Sequence, residues 1–122
     1  GLTDNDTVAA QLEHLDGAML GRAAYHDPWV MAEWDARFFG EVAATPVTRA
    51  AVELAMVAYM ERMAPLGTPW ASIARHFMGL YLGQPGARRW RQVWSNHALK
   101  GLGARQVFEQ AHALEDSIKI RA

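Results

Sequence analysis

The sequence has no cysteine, and this absence excludes disulfide bonds, thiolate metal sites and a cysteine nucleophile. We therefore expect a cytoplasmic protein whose chain supplies no redox group of its own. No apolar run approaches the ~20 residues that a membrane-spanning helix needs, and residues 1–7 contain neither the basic nor the apolar part of a signal peptide. Hydrophobic residues make up 51% of the 122 positions, which is enough to form the core of one domain.

Acidic residues are missing from one long stretch, residues 71–108, although the chain as a whole has a net charge of only −1. Residues 1–70 contain ten acids and four arginines, whereas residues 71–122 contain eight bases and three acids. This asymmetry predicts a surface for a polyanion. The alternative is that the charges only solvate helix faces. The six bases of the acid-free stretch are Arg75, Arg88, Arg89, Arg91, Lys100 and Arg105.

The hydrophobic spacing in residues 46–122 is helical. It predicts helices over about 48–64, 69–82, 87–98 and 104–118 with short loops between them, which favours an antiparallel four-helix bundle. Gly79 lies inside the second helix and costs roughly 1 kcal/mol there relative to alanine, so we expect a neighbouring backbone to approach it closely. The apolar stripe of the first helix is Val52, Met56, Tyr59, Met60 and Met63.

The helix predicted over about 87–98 separates apolar from charged residues at 100° per residue. The face expected to be buried carries Trp90, Val93, Trp94 and His97. The opposite face carries Arg88, Arg91, Gln92 and Ser95. We interpret His97 as a hydrogen-bonded core residue, whereas His76, beside Arg75, could reach a phosphate.

Residues 1–40 have a different pattern, namely helix, strand, helix. An apolar run between turn residues predicts a strand over 17–20, and Asp27-Pro28 and Gly40 delimit a helix over about 28–39. A lone strand cannot satisfy its own backbone hydrogen bonds. Either the strand prediction is wrong or its partners come from residues outside this chain. We favour the second explanation and interpret the chain as the tail of a longer protein. The predicted fold class is mainly α.

Motifs for common catalytic chemistry are absent. The sequence has no phosphate loop of the GxxxxGK[ST] type and no HExxH, and its five histidines include no pair spaced four residues apart. We therefore predict no metal site and no catalytic residue. Gly21 and Arg22 follow the predicted strand, where glycine allows close backbone approach and arginine offers a fork to phosphate. The alternative for Arg22 is a surface residue at a helix start.

Two segments resemble one protein family. The segment LDGAMLGRAAYHDPWVMAEWDARFFG is similar to the end of the flavin-binding barrel in tRNA-dihydrouridine synthases of the A type. The segment IARHFMGLYLGQPGARRWRQVWSN resembles the helical part of the same enzymes, with RH, GxPGAR-x-WR and a serine in the same order. The initial GLT is similar to a glycine-rich turn that precedes the last barrel helix.

The resemblance implies an enzyme that uses FMN, with NADPH as reductant, to reduce uridines in the tRNA D-loop. Gly21 and Arg22 match a GR pair that contacts the FMN phosphate, and Gly1 matches a glycine of the preceding phosphate loop. Residues 1–40 would be the end of an incomplete (β/α)8 barrel, 41–47 a linker and 48–122 a helical tRNA-binding domain.

The same resemblance places the catalytic cysteine of the family in barrel segments outside this chain. We therefore expect the chain alone to be inactive and to bind no cofactor by itself. Strand 17–20 would be the eighth barrel strand, which could pair between chains when it is isolated. Otherwise residues 1–40 would be supported by packing on the bundle, through Trp29, Trp34, Phe38 and Phe39.

The predicted partner is tRNA, and we expect binding neither to DNA nor to a membrane. Cationic side chains would contact backbone phosphates, and Gln92 or Asn96 could reach a 2′-hydroxyl. Two alternatives remain open: a helix-turn-helix that binds DNA through 69–82 and 87–98, and a helical protein-interaction domain whose basic face is only solvated. The predicted RNA-binding residues are Arg75, His76, Arg88, Arg89, Arg91, Gln92, Lys100 and Arg105.

Overall fold

The computed structural model describes residues 1–41 and 46–121, with side chains up to residue 113. These residues are mainly helical, as predicted. The α-helices are α1 (Asn5–Leu12), α2 (Arg22–His26), α3 (Trp34–Phe39), α4 (Arg49–Met63), α5 (Trp70–Ala74), α6 (Ala87–Trp94) and α7 (Ala104–Arg121). Short 3-10 helices cover Pro28–Glu33, Ala64–Leu66 and His97–Leu99.

The strand predicted over 17–20 is wrong. The described ranges contain no strand, and residues 17–19 are exposed in an irregular segment between α1 and α2. The physical reason is that an extended segment becomes a strand only beside a partner that accepts and donates its backbone hydrogen bonds. No described segment provides that partner.

Side-chain caps and a left-handed glycine set several helix boundaries. The Asp4 carboxylate accepts from Thr7 N at 2.7 Å at the start of α1, and Thr48 Oγ1 accepts from Ala51 N at 3.1 Å at the start of α4. Gly40 ends α3 with φ of 68°, as its type predicts. The helix predicted over about 28–39 begins instead as the 3-10 turn Pro28–Glu33.

Three of the four helices predicted in the carboxyl-terminal part are continuous, namely α4, α6 and α7. The helix predicted over 69–82 is wrong beyond Ala74, because the chain continues in turns such as Leu80 N to Phe77 O at 3.0 Å. Helix α7 packs against α4 and α6, and the short α5 packs against α4. The predicted four-helix bundle is thus reduced to three longer helices and one short one.

The core of this bundle is aromatic. The Phe77 ring lies 5.0 Å from the Trp90 ring and 5.2 Å from the Trp94 ring, measured between centroids, and such pairs contribute about 0.5–1.5 kcal/mol beyond burial. The stripe predicted for α4 is partly wrong, because Tyr59 is 41% exposed. The residues that α4 buries are Glu53, Val57 and Met60.

Residues 1–41 dock on this bundle through a few defined contacts. The Arg49 guanidinium lies 4.6 Å from the Trp29 ring centroid, and its Nε donates to Leu80 O at 3.0 Å. Trp29 packs against the core as expected. Phe39 does not, because it is 76% exposed. Trp34 instead donates to Asn5 Oδ1 at 2.8 Å within the amino-terminal segment.

The close approach expected at Gly79 is confirmed. A Cβ atom at this position would overlap the carbonyl oxygen of His26 and lie 3.1 Å from Pro28 Cδ. The obstacle is backbone, which cannot move aside as a flexible side chain can. Glycine is therefore required where the chain between α5 and α6 meets the end of α2.

Replacing Gly79 with alanine is expected to lower the free energy of unfolding by about 1–3 kcal/mol, as overpacking generally does. Denaturant unfolding measures this loss. The control is Gly101→Ala, because a Cβ at Gly101 meets nothing within 4 Å. Equal stability of the two variants would contradict the assigned contact between His26 and Gly79.

Candidate nucleic-acid interface

Helix α6 presents a basic face to solvent because its opposite face is anchored in the core. Trp90, Val93 and Trp94 are buried, so the residues opposite them point outward. Of these, Arg88 and Gln92 are exposed and Arg91 is half-buried. The predicted separation of apolar and basic faces is confirmed over the length of α6. Arg89, at the side of this helix, is exposed as well.

Four cations of the interface have no counter-ion among the described side chains. The side chains of Arg88, Arg89, Arg91 and Lys100 form no hydrogen bond or ion pair with the residues that the structure describes. Their own stretch of sequence contains no acid that could neutralise them. Unpaired cations close together create a positive potential that attracts polyanions.

Arg105 and Lys100 line a groove of about 720 Å3, between the loop at residues 64–70 and the loop at residues 100–105. Arg105 Nη2 lies 2.5 Å from Glu61 Oε1, so its charge is already neutralised. Of the eight residues predicted to bind RNA, Arg105 is thus the one that forms an ion pair with an acid in the part of the chain that the structure describes.

Arg75 lies at a smaller groove, of about 250 Å3, at the carboxyl end of α6. Ser95 and Asn96 line the same groove, and Ser95 follows Arg91 and Gln92 along the outward side of the helix. The groove therefore places Arg75 near the carboxyl end of α6. Its apolar lining residues are Trp70, Ala71, Met78 and Trp94.

The interpretation of His97 as a core residue is wrong. Helix α6 ends at Trp94, earlier than predicted, and His97 begins a 3-10 turn in which Asn96 Oδ1 accepts from Ala98 N at 3.0 Å. The chain therefore leaves the helical face before His97, which is exposed at the rim of the smaller groove.

His76 is placed between two side chains. Its Nδ1 lies 3.0 Å from Tyr25 Oη, and its Nε2 accepts from Arg75 Nε at 3.1 Å. Tyr25 belongs to α2, which begins directly after Gly21. Sequence reasoning did not identify Tyr25 as a partner of His76, because the two residues lie 51 positions apart in the chain.

Glu53 lies behind the basic helix and is fully buried. Its carboxylate accepts from Trp90 Nε1 at 2.7 Å, Trp94 Nε1 at 3.1 Å and Tyr81 Oη at 2.9 Å, and it pairs with His112 Nε2 at 2.7 Å. Burial alone would raise the pKa of Glu53, but hydrogen bonds from His112, Trp90 and Trp94 and the charge of His112 outweigh it, so the pKa lies below its usual value.

Glu53 fixes the rotation of α6 about its axis, because both indole donors of that helix end on the same carboxylate oxygen. The outward direction of Arg88 and Arg91 follows from this anchoring. Sequence reasoning missed Glu53 and His112. The indication in the sequence was that Glu53 precedes Val57 and Met60 by four and seven residues. This spacing places the acid on the same helical face as the two apolar residues.

The residues predicted to hold a cofactor phosphate are accessible. Gly1, Gly21 and Arg22 are all exposed, and a Cβ at Gly21 would meet only Met19 Sδ, at 3.6 Å. Arg22 has no ion pair with any described side chain. The described residues contain no group of three or more His, Asp or Glu that could hold a metal ion.

None of the helices in the described ranges combines the length and the apolar character needed to cross a membrane.

A helical core that presents unpaired arginines in an acid-free region is typical of a nucleic-acid-binding module. Comparison with protein families gives the class. The family model described as Dihydrouridine synthase (Dus) matches residues 1–117, so the chain belongs to the dihydrouridine synthase family. The resemblance found in the sequence is thereby confirmed.

Several curated relatives share the name tRNA-dihydrouridine(20/20a) synthase. The protein from Vibrio cholerae serotype O1 is 40% identical over 114 residues, which are 93% of this chain and 34% of the relative. The protein from Escherichia coli strain K12 is 41% identical over 113 residues, 91% of this chain and 32% of the relative. The protein from Shewanella oneidensis is 38% identical over 112 residues, 92% of this chain and 33% of the relative. The chain therefore spans about a third of the length of these relatives.

Proposed function

We propose that this chain is the carboxyl-terminal part of an FMN-dependent tRNA-dihydrouridine synthase, in which residues 48–122 bind tRNA. Residues 1–40 complete a flavin-binding barrel and residues 41–47 are the linker. The observation that carries the proposal is the basic face of α6, on which Arg88 and Arg91 have no ion pair with any described side chain. The names of the relatives, which are tRNA-dihydrouridine synthases, support tRNA as the polyanion.

The apolar surface of the amino-terminal segment supports the barrel assignment. Leu15, Met19 and Phe39 are 55%, 79% and 76% exposed, and a mainly apolar cavity of about 320 Å3 lies beside Phe39 and Trp34. Exposed apolar residues in one region mark a surface that another element covers. We propose that the remainder of the barrel is that element.

The chain's own contribution to cofactor binding would be phosphate binding. Arg22 is an exposed guanidinium without an acidic partner among the described side chains, and the adjacent Gly21 leaves room for close backbone approach. These features fit a phosphate group, and Gly1 would add a backbone contact. When bound, FMN would supply the reduction of the uracil ring, with NADPH as the source of electrons. The chain itself would supply no catalytic residue.

The role of the helical part follows from the geometry of the substrate. A uridine in folded RNA is stacked, and extracting it costs a few kcal/mol. Contacts with the surrounding phosphates offset that cost without reading sequence. Arg88, Arg91 and Arg75 lie in an arrangement suited to this task, because α6 is fixed to the core by Trp90 and Trp94.

The experiment for this proposal is a competition assay on the full-length protein with a labelled tRNA probe. We expect unlabelled tRNA to displace the probe far better than duplex DNA with an equal number of phosphates. The helix-turn-helix alternative predicts the reverse order, although residues 75–86 between α5 and α6 are longer than the usual 3–4-residue turn. The protein-interaction alternative predicts no RNA complex at physiological salt.

A further inference from the structure

His76 connects the amino-terminal segment to the basic surface through both of its ring nitrogens. Nδ1 lies 3.0 Å from Tyr25 Oη, and Nε2 lies 3.1 Å from Arg75 Nε. The His76 and Tyr25 rings meet edge to face, with centroids 6.0 Å apart. These contacts restrict the ring even though the residue is exposed.

The contact with Arg75 determines where the ring carries its proton. An arginine Nε carries a hydrogen and can only donate, so His76 Nε2 must be the acceptor. A neutral imidazole has one donor and one acceptor nitrogen, and the proton therefore lies on Nδ1. It follows that Nδ1–H donates to Tyr25 Oη.

The same contact orients Arg75. Its Nε is directed to His76, whereas its two terminal nitrogens have no hydrogen bond or ion pair among the described side chains. Arg75 lines the groove that Ser95 and Asn96 also line. A guanidinium fixed at Nε keeps its outer pair of donors free for bidentate contact with a phosphate.

We propose that His76 is a positioning residue: its Nδ1–H tautomer, held by Tyr25, fixes Arg75 at the groove so that Arg75 binds an RNA phosphate. A free arginine side chain loses rotational freedom when it binds, and prior orientation lowers that entropic cost. The proposal rests on the proposed RNA-binding function. It adds the residue that sets the geometry of one phosphate contact.

The first test is the tautomer of His76 in the free protein, determined from the nitrogen-15 shifts of its ring by NMR at mildly alkaline pH. We expect the Nδ1–H form, and its loss in Arg75→Ala. His14 is the control, because it is exposed and has no side-chain partner among the described residues. An Nε2–H form, or shifts averaged as for His14, would overturn the proposal.

The second test is tRNA affinity of the full-length protein at the same pH. We expect His76→Ala to weaken binding about 3- to 10-fold, the equivalent of ordering one long side chain. Arg75→Ala should weaken binding at least as much, because it removes the phosphate contact itself. His76→Gln should restore most of the affinity, because its amide oxygen can accept from Arg75 Nε. A surface role for His76 predicts no loss in His76→Ala, and this result would overturn the proposal.

The two failures are distinguishable. If the wild type does not bind tRNA, the proposed function is wrong and the positioning role fails with it, whatever the tautomer. If the wild type binds and Arg88→Ala weakens it while His76→Ala does not, only the positioning role is wrong.

Discussion

Replacing Glu53 with glutamine is expected to lower the free energy of unfolding by about 3 kcal/mol, near the lower end of the cost of breaking a buried ion pair. Glu53 is fully buried and accepts from Tyr81, Trp90 and Trp94 while it pairs with His112. Glutamine keeps one acceptor oxygen, but its NH2 group replaces the other oxygen. The groups that donated to that oxygen then face another donor and lose their acceptor. Denaturant unfolding at neutral pH measures the loss.

The matched control is Glu61→Gln. Glu61 is also paired, with Arg105, but both side chains are nearly half exposed, and exposed ion pairs contribute at most about 1 kcal/mol. If Glu53→Gln destabilises the protein no more than Glu61→Gln does, Glu53 does not hold α6 in the way its hydrogen bonds indicate.

The pH dependence of stability follows from the same contacts. Because the pKa of Glu53 in the folded protein lies below its usual 4.5, the unfolded chain binds the proton more tightly. The stabilisation by the carboxylate is therefore fully present above about pH 4.5 and is lost as pH falls through the folded-state pKa. The stability difference between wild type and Glu53→Gln should shrink in this acid range.

Features determined by nearby residues could be predicted from the sequence. The end of α3 lies at Gly40 as expected. The buried face of α6 follows from the spacing of its apolar residues. These features depend on contacts within one or two helical turns, which is the range that periodicity and capping describe.

Features determined by distant contacts could not be predicted. Phe77 and Leu80 fit helical spacing, but the chain continues there in turns, and the His26 carbonyl lies against Gly79. Glu53 can be buried because its carboxylate has hydrogen-bond partners, and these come from positions 28 to 59 residues further along the chain. An acid among apolar residues does not show whether such donors exist.

The basic interface combines both kinds of information. The absence of acids between residues 71 and 108 identified the region, and helical spacing identified Arg88 and Arg91. The neutralisation of Arg105 by Glu61 and the bridge through His76 required the structure. Composition therefore locates the surface, whereas tertiary contacts decide which of its cations are available.

The combined substitution of Arg88 and Arg91 by alanine is expected to weaken tRNA binding roughly 10- to 100-fold, because it removes two solvent-accessible hydrogen bonds to phosphates that contribute about 1 kcal/mol each. Each lost phosphate contact also means that fewer counterions are released on binding. The slope of log affinity against log salt concentration becomes less steep by about 0.7–0.9 for each contact. Two contacts should therefore flatten this slope by about 1.4–1.8. Titrations at several salt concentrations measure both quantities on the full-length protein.

The control for this pair is Arg62→Ala. Arg62 is exposed on α4, 5.7 Å from the Tyr59 ring centroid, and it lies outside the acid-free stretch. Loss of this charge should leave the salt slope unchanged, because an arginine that contacts no phosphate releases no counterion from the RNA. If the double variant also retains its affinity and slope, the basic face of α6 does not contact RNA, and its arginines only solvate the helix.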